Sequence, residues 1–198
     1  MRIGAFVGTF SNRTDVPIDP VENVLPAVQE IVGHNHIIEM FADPGLDAGI
    51  VRGFIEQYSQ SETDSEIKLT RVTYSTDQSV PWQRLVACKE LLHVLDQPEN
   101  RVSERTDIDS LIEKIRLPPE MYNHQTDGQH AFNDRLGVAY AAAVLFPLAA
   151  RNLLVPEFEA GKITVSTIVD LIGMPAPYVA MVLNPQWLEI HSALVKLK

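Results

Sequence analysis

Three side chains within about one helical turn, Lys89, Glu90 and His93, are the residues of this chain best spaced to do chemistry together. The run opened by Ser79-Val80-Pro81 and continuing to about Leu95 predicts a helix. On such a helix Lys89 and His93 are i and i+4, and Glu90 and His93 are i and i+3, so all three occupy neighbouring parts of one face. A zinc peptidase uses this spacing as His-Glu-x-x-His: two imidazoles hold the metal, and the glutamate polarises metal-bound water as general base. Here Lys89 stands at the place of the first histidine. An ammonium has no lone pair to offer, and an ordinary lysine, which titrates near pH ~10.4, loses its proton at pH 7 only at a cost of about 4.6 kcal/mol. Lys89 therefore argues against tightly held zinc. The other reading of this position is a lysine pointing to solvent, with Glu90 and His93 alone lining a pocket.

The surrounding residues sharpen the comparison. Arg84-Leu85-Val86-Ala87-Cys88-Lys89-Glu90-Leu91-Leu92-His93 resembles the Arg-Phe-Thr-Leu-Ala-His-Glu-Leu-Gly-His run of the ImmA/IrrE family of zincin-like proteins. The family's second motif is a helix bearing a glutamate, the third zinc ligand, then small and aromatic residues and Leu-Met-Pro. Ala141-Ala142-Ala143-Val144-Leu145-Phe146-Pro147 looks like the end of that motif, and Asp134 stands thirteen places before Pro147, where the family carries its glutamate. The resemblance runs from the strand near Ile67 to about Leu183. It departs from the family at Lys89 for histidine, Asp134 for glutamate and Leu92 for glycine.

The resemblance implies a zincin-like fold, Glu90 as base, and His93 and Asp134 as metal ligands. It also implies a protein substrate, since intact members cleave transcriptional regulators in bacteria. With Lys89 in place the expectation is a degenerate active site with poor or no zinc hydrolysis, acting on or binding a protein or peptide. The alternative is a non-catalytic binding protein that holds a peptide or regulator in the same groove. In it the Lys89 ammonium replaces the metal charge by pairing with Asp134 and Glu90. No cofactor is expected on either account, zinc being the one metal the pattern would take.

A competing metal set is His93, His130 and Asp134, the last two i and i+4 on the next predicted helix, with His124 close by. The plainer reading makes His124 and His130 loop and cap residues. Cys88 adjoins a cation that could activate a thiol, or it is a small buried apolar residue. His34 and His36 bracket a turn, and Trp82 and Trp187 suit core or lid packing.

The elements that must position these residues read as α+β, mostly helical with a small sheet beside the candidate helix. Arg2–Phe10 is expected as a strand, and Asp19-Pro20 opens a helix that Gly33 stops. His36–Phe41 is expected as a strand, Asp43-Pro44-Gly45 as a turn, Leu46–Tyr58 as a helix and Ser59–Ser65 as a loop. The alternation from Ile67 to Ser75 predicts an extended edge strand. Gln97–Arg105 reads as a loop, Thr106–Ile115 as a short helix and Tyr122–Gly128 as a loop. A long apolar helix from Gln129 to Leu154 carries Pro147 as a kink or break. Short helices follow at Thr164–Ile172, Pro175–Asn184 and Pro185–Leu197.

Length suits a single domain over 1–198, with 163–198 as a helical appendage packed on it. Thr164–Asn184 has the look of a helix-turn-helix, yet Ile163–Val195 contains no lysine or arginine, which speaks against reading DNA. The net charge of −10 likewise repels phosphate backbones and anionic membranes. One cysteine excludes an internal disulfide, the first ten residues lack the pattern of a signal peptide, and the longest apolar run, Ala139–Ala150, is too short for a bilayer. The expected location is cytoplasmic.

Overall fold

Ile3–Phe10 forms a helix (α1) where a strand is expected. An apolar run of this length fits either period, and packing decides. Phe6, Val7 and Phe10, spaced for one helical face, are buried as α1 packs against the helix at Trp187–Lys196. The structure, a computed structural model, describes residues 3–62, 65–96 and 127–196, with the backbone path for 60–62, 65–66 and 127–135. The expected loop and short helix between Gln97 and Thr126 lie outside the described residues.

Asp19 caps the next helix as expected, its carboxylate accepting from the N–H groups of Val21 and Glu22. The first turn is of the wide π type (Pro20–Val24) and runs into α2 (Leu25–Val32), which stops at Gly33, whose φ of 83° suits glycine. Strand β1 (His36–Asp43) follows as predicted. The helix expected over Leu46–Tyr58 is absent. Turns around Asp43 and Asp47, each carboxylate accepting from the N–H two residues on, lead into β2 (Gly53–Glu62). Of the loop expected at Ser59–Ser65, residues 59–62 are instead the end of β2 and Ser65 is the start of β3 (Ser65–Ser75).

The sheet order is β1-β3-β2, with β1 parallel and β2 antiparallel to β3. The strand expected at an edge is therefore central. Pairing with β3 over ten residues outweighs the helical spacing of residues 46–58, and the register sets Ile55 and Met40 on either side of the fully buried Val72.

Helix α3 (Val80–Leu92) packs on β2, β3 and the π turn and ends in a tight turn at His93–Leu95. Leu85, Val86, Ala87, Cys88, Glu90, Leu91 and Leu92 are all buried, so the helix is enclosed on nearly every side from Leu85 onward. The long apolar helix divides in two, α4 (Asp127–Leu145) and α5 (Leu148–Glu159), which bend by 76° across Phe146-Pro147. Proline there lacks the N–H to continue α4 and becomes the cap position of α5.

Helices α6 (Val165–Ile172), α7 (Ala176–Leu183) and α8 (Trp187–Lys196) follow the expected bounds closely. Thr164 caps α6, and Gly173 at φ 67° closes it. The turn sets α6 and α7 at 106°, the angle of a helix-turn-helix. Helix α7 packs on α4 and α5, and the guanidinium of the buried Arg151 donates to the carbonyls of Val182, Leu183 and Asn184 at its end. The described residues thus form an α+β fold of eight α-helices and one three-stranded mixed sheet. Among them no single helix is long and apolar enough to cross a membrane.

Candidate functional site

The helix expected to carry the chemistry carries Lys89 and Glu90 in its last turn and ends on His93. Two ridges of that helix, each an i and i+4 pair, lie under two different elements. Val86 and Glu90 face β2 at Gly53, where a Cβ would stand 2.5 Å from Val86 Cγ1 and 3.2 Å from Glu90 Cγ. Lys89 and His93 face α4 at Gly137, where a Cβ would stand 2.9 Å from His93 Nε2 and 3.3 Å from Lys89 Cγ. Only glycine allows either approach, so the sheet and α4 close on the helix from two sides.

Side chains at i and i+1 of a helix do not normally face each other. Here the long lysine stem folds across from the α4 ridge to the sheet ridge, and Lys89 Nζ reaches Glu90 Oε1 at 2.9 Å. The two side chains are only 15% and 6% exposed, so the pair is sheltered from water. The reading of Lys89 as a solvent-facing surface lysine is corrected by this burial.

His93 Nδ1 donates to Asp96 Oδ2 at 2.6 Å, which turns Nε2 to the α4 side. Burial pulls the imidazole pKa down, but the Asp96 hydrogen bond and the Glu90 charge outweigh burial and Lys89, so the net shift is upward. Tyr140, one turn after Gly137, is raised by burial and by the charge of Asp96. Asp96, Gly53, Gly137 and Tyr140 are the members of this cluster that the sequence reading misses. An aspartate three residues past His93 is the one local signal among them; the glycines and Tyr140 come from elements far along the chain.

Asp134 sits in α4 one turn before Gly137, so backbone register puts it on the helix face that meets α3. Its side chain and that of His130 lie outside the described residues, as does all of His124. Among the described residues no three histidine, cysteine, aspartate or glutamate side chains come together as a metal site. Lys89 supplies no lone pair while it is protonated and paired with Glu90.

The other candidates have structural places. Cys88 is fully buried and burial pushes its thiol far up, against a small opposing effect of Arg84, which leaves it inert. His36 is buried against the Thr70 hydroxyl at 2.7 Å, and His34 is exposed at the turn. Trp187 is wholly buried; Trp82 stacks under the Arg52 guanidinium at 3.8 Å and meets Tyr178 edge-on.

Arg84, the arginine that leads the motif, is an anchor. It donates to the Gly173 carbonyl at 3.0 Å, to Asp19 Oδ2 at 3.1 Å and to the Ile18 carbonyl. It thereby ties α3 to the cap of the π turn and to the turn between α6 and α7. No protein-family model, no curated protein and no solved structure matches this chain.

Proposed function

We propose that this chain is a metallopeptidase-like protein of the ImmA/IrrE type with a degenerate, non-catalytic site, which binds a protein or peptide partner instead of cutting it. One observation carries the reading: the ammonium of the residue at the first ligand position is held by the carboxylate that would serve as general base, in a setting sheltered from water. In a working site that carboxylate faces a metal-bound water, which Lys89 displaces here with a fixed positive charge. The cation that would have come from zinc is then part of the chain, and the helix keeps its place between sheet and α4 without hydrolysis. A transcriptional regulator is the class of partner that the resemblance suggests.

The runner-up is a site that still takes zinc, with Glu90 as base and His93, Asp134 and His130 as ligands. The observation favouring it is the carboxylate on His93 Nδ1, because metal-bound histidines are commonly oriented in this way. Zinc titration and peptide hydrolysis by the wild type and the Lys89→His variant separate the two. The proposal expects neither zinc uptake nor hydrolysis from the wild type and zinc uptake by Lys89→His. Zinc-dependent cleavage of peptides by the wild type overturns it.

A further inference from the structure

A second pair of reactive groups meets away from α3, where the first and last helices pack together. Ser11, the residue after α1, has its Oγ 3.1 Å from Nε2 of His191 on α8. His191 is 5% exposed, while Ser11 is half-buried and is followed by the exposed Asn12. The hydroxyl and the ring are within hydrogen-bond reach, the spacing a nucleophile and its base require. The N-terminal turn of α5 docks on the same residue, since Ala149 N–H donates to the Ser11 carbonyl at 2.9 Å. Pro147 gives that helix no side-chain cap, so the positive end of its dipole lies beside Ser11.

The geometry points to Ser11 as a nucleophile with His191 as its general base, a site for acyl transfer from a small ester. One hydroxyl hydrogen has two acceptors within reach, the Val7 carbonyl at 3.3 Å and the imidazole at 3.1 Å. The site requires the tautomer in which Nε2 accepts. Burial alone shifts His191, and it shifts it downward, so the ring is neutral at pH 7 and has a lone pair to offer. In the reaction Ser11 Oγ bonds to the carbonyl carbon while its proton passes to His191 Nε2. The ester's alkoxide leaves with that proton as an alcohol. Water then hydrolyses the acyl-serine, releasing a carboxylic acid and restoring the hydroxyl. No carboxylate is seen orienting His191 among the described residues, so the pair is a dyad, slower than a full triad.

The test uses the full chain and a fluorophosphonate probe, which phosphonylates an activated serine with loss of fluoride, read by peptide mass spectrometry. Ser11 should be labelled, Ser11→Ala should lose that label, and His191→Gln should label at least tenfold more slowly. The wild-type labelling rate should rise with pH through a value below about 6.5 and then level off. That profile decides the matter if His191→Gln does not fold. An unlabelled Ser11 in folded protein, a parental rate in His191→Gln, or a flat pH profile would overturn the assignment and leave a structural hydrogen bond.

Discussion

Replacing Lys89 with alanine removes the cation from Glu90 while the carboxylate stays enclosed beneath Gly53. Deleting one partner of a buried pair costs about 3–5 kcal/mol, because the remaining charge is desolvated without compensation. Lys89 keeps 15% of its side-chain exposure and Glu90 6%, so some water can reach the pair and the lower end applies. We therefore expect a loss of about 3 kcal/mol, which for a chain of this size is a fall in Tm of roughly 6–12 °C. Urea denaturation measures it, with the m-value checking that the transition is unchanged in kind. The double variant Lys89→Met/Glu90→Gln removes both charges and should recover at least half of the loss, since a neutral amide tolerates burial far better than a lone carboxylate. If Lys89→Ala unfolds at the same urea concentration as the parent, the ion pair is solvated and the argument from its burial fails.

Gly137→Ala places a methyl 2.9 Å from His93 Nε2, and overpacking of about 1–3 kcal/mol should exceed the gain of about 1 kcal/mol from better helix propensity. His93→Ala should rescue it in a thermal melt, and no rescue would mean that another contact sets the cost. Arg84→Ala leaves two carbonyls and Asp19 Oδ2 without the guanidinium donor and should cost about 2–3 kcal/mol, with Arg84→Lys failing to restore it because an ammonium cannot span three acceptors. The two histidines should bend the pH dependence of stability in opposite directions. His93 has its pKa raised in the fold, so its contribution is complete below about pH 6.5 and fades as pH rises through the folded value. His191 has its pKa lowered, so its contribution is present above about pH 6.5 and fades as pH falls through the folded value. Urea midpoints of His93→Gln and His191→Gln across that range should each lose one of the two slopes, and identical profiles would contradict both.

What could be read from residues alone was local. The cap at Asp19, the stop at Gly33, the break at Pro147 and the helix from Val80 all follow from short-range stereochemistry. The errors fall where long-range pairing decided. Residues 46–58 carry a helical spacing of apolar groups, yet β3 offers them a ladder and the turns at Asp43 and Asp47 start it. Alpha or beta was likewise undetermined for Ile3–Phe10 until α8 covered its face. At the site, the i to i+4 spacing put Lys89 and His93 on one ridge, as expected. That Lys89 turns back to its sequence neighbour Glu90, and that Gly53 and Gly137 let two other elements approach so closely, depends on contacts between segments 36 to 48 residues from Lys89. Asp96 had a readable spacing and was overlooked.

The claim that a lysine ammonium has taken over the charge of a lost metal is tested most directly by elemental analysis of the folded protein after exposure to zinc and dialysis. The account predicts zinc far below one equivalent for the wild type and a clear rise for Lys89→His. One equivalent retained by the wild type would show that Lys89 yields the site to a metal, and the reading built on its pairing with Glu90 would be wrong.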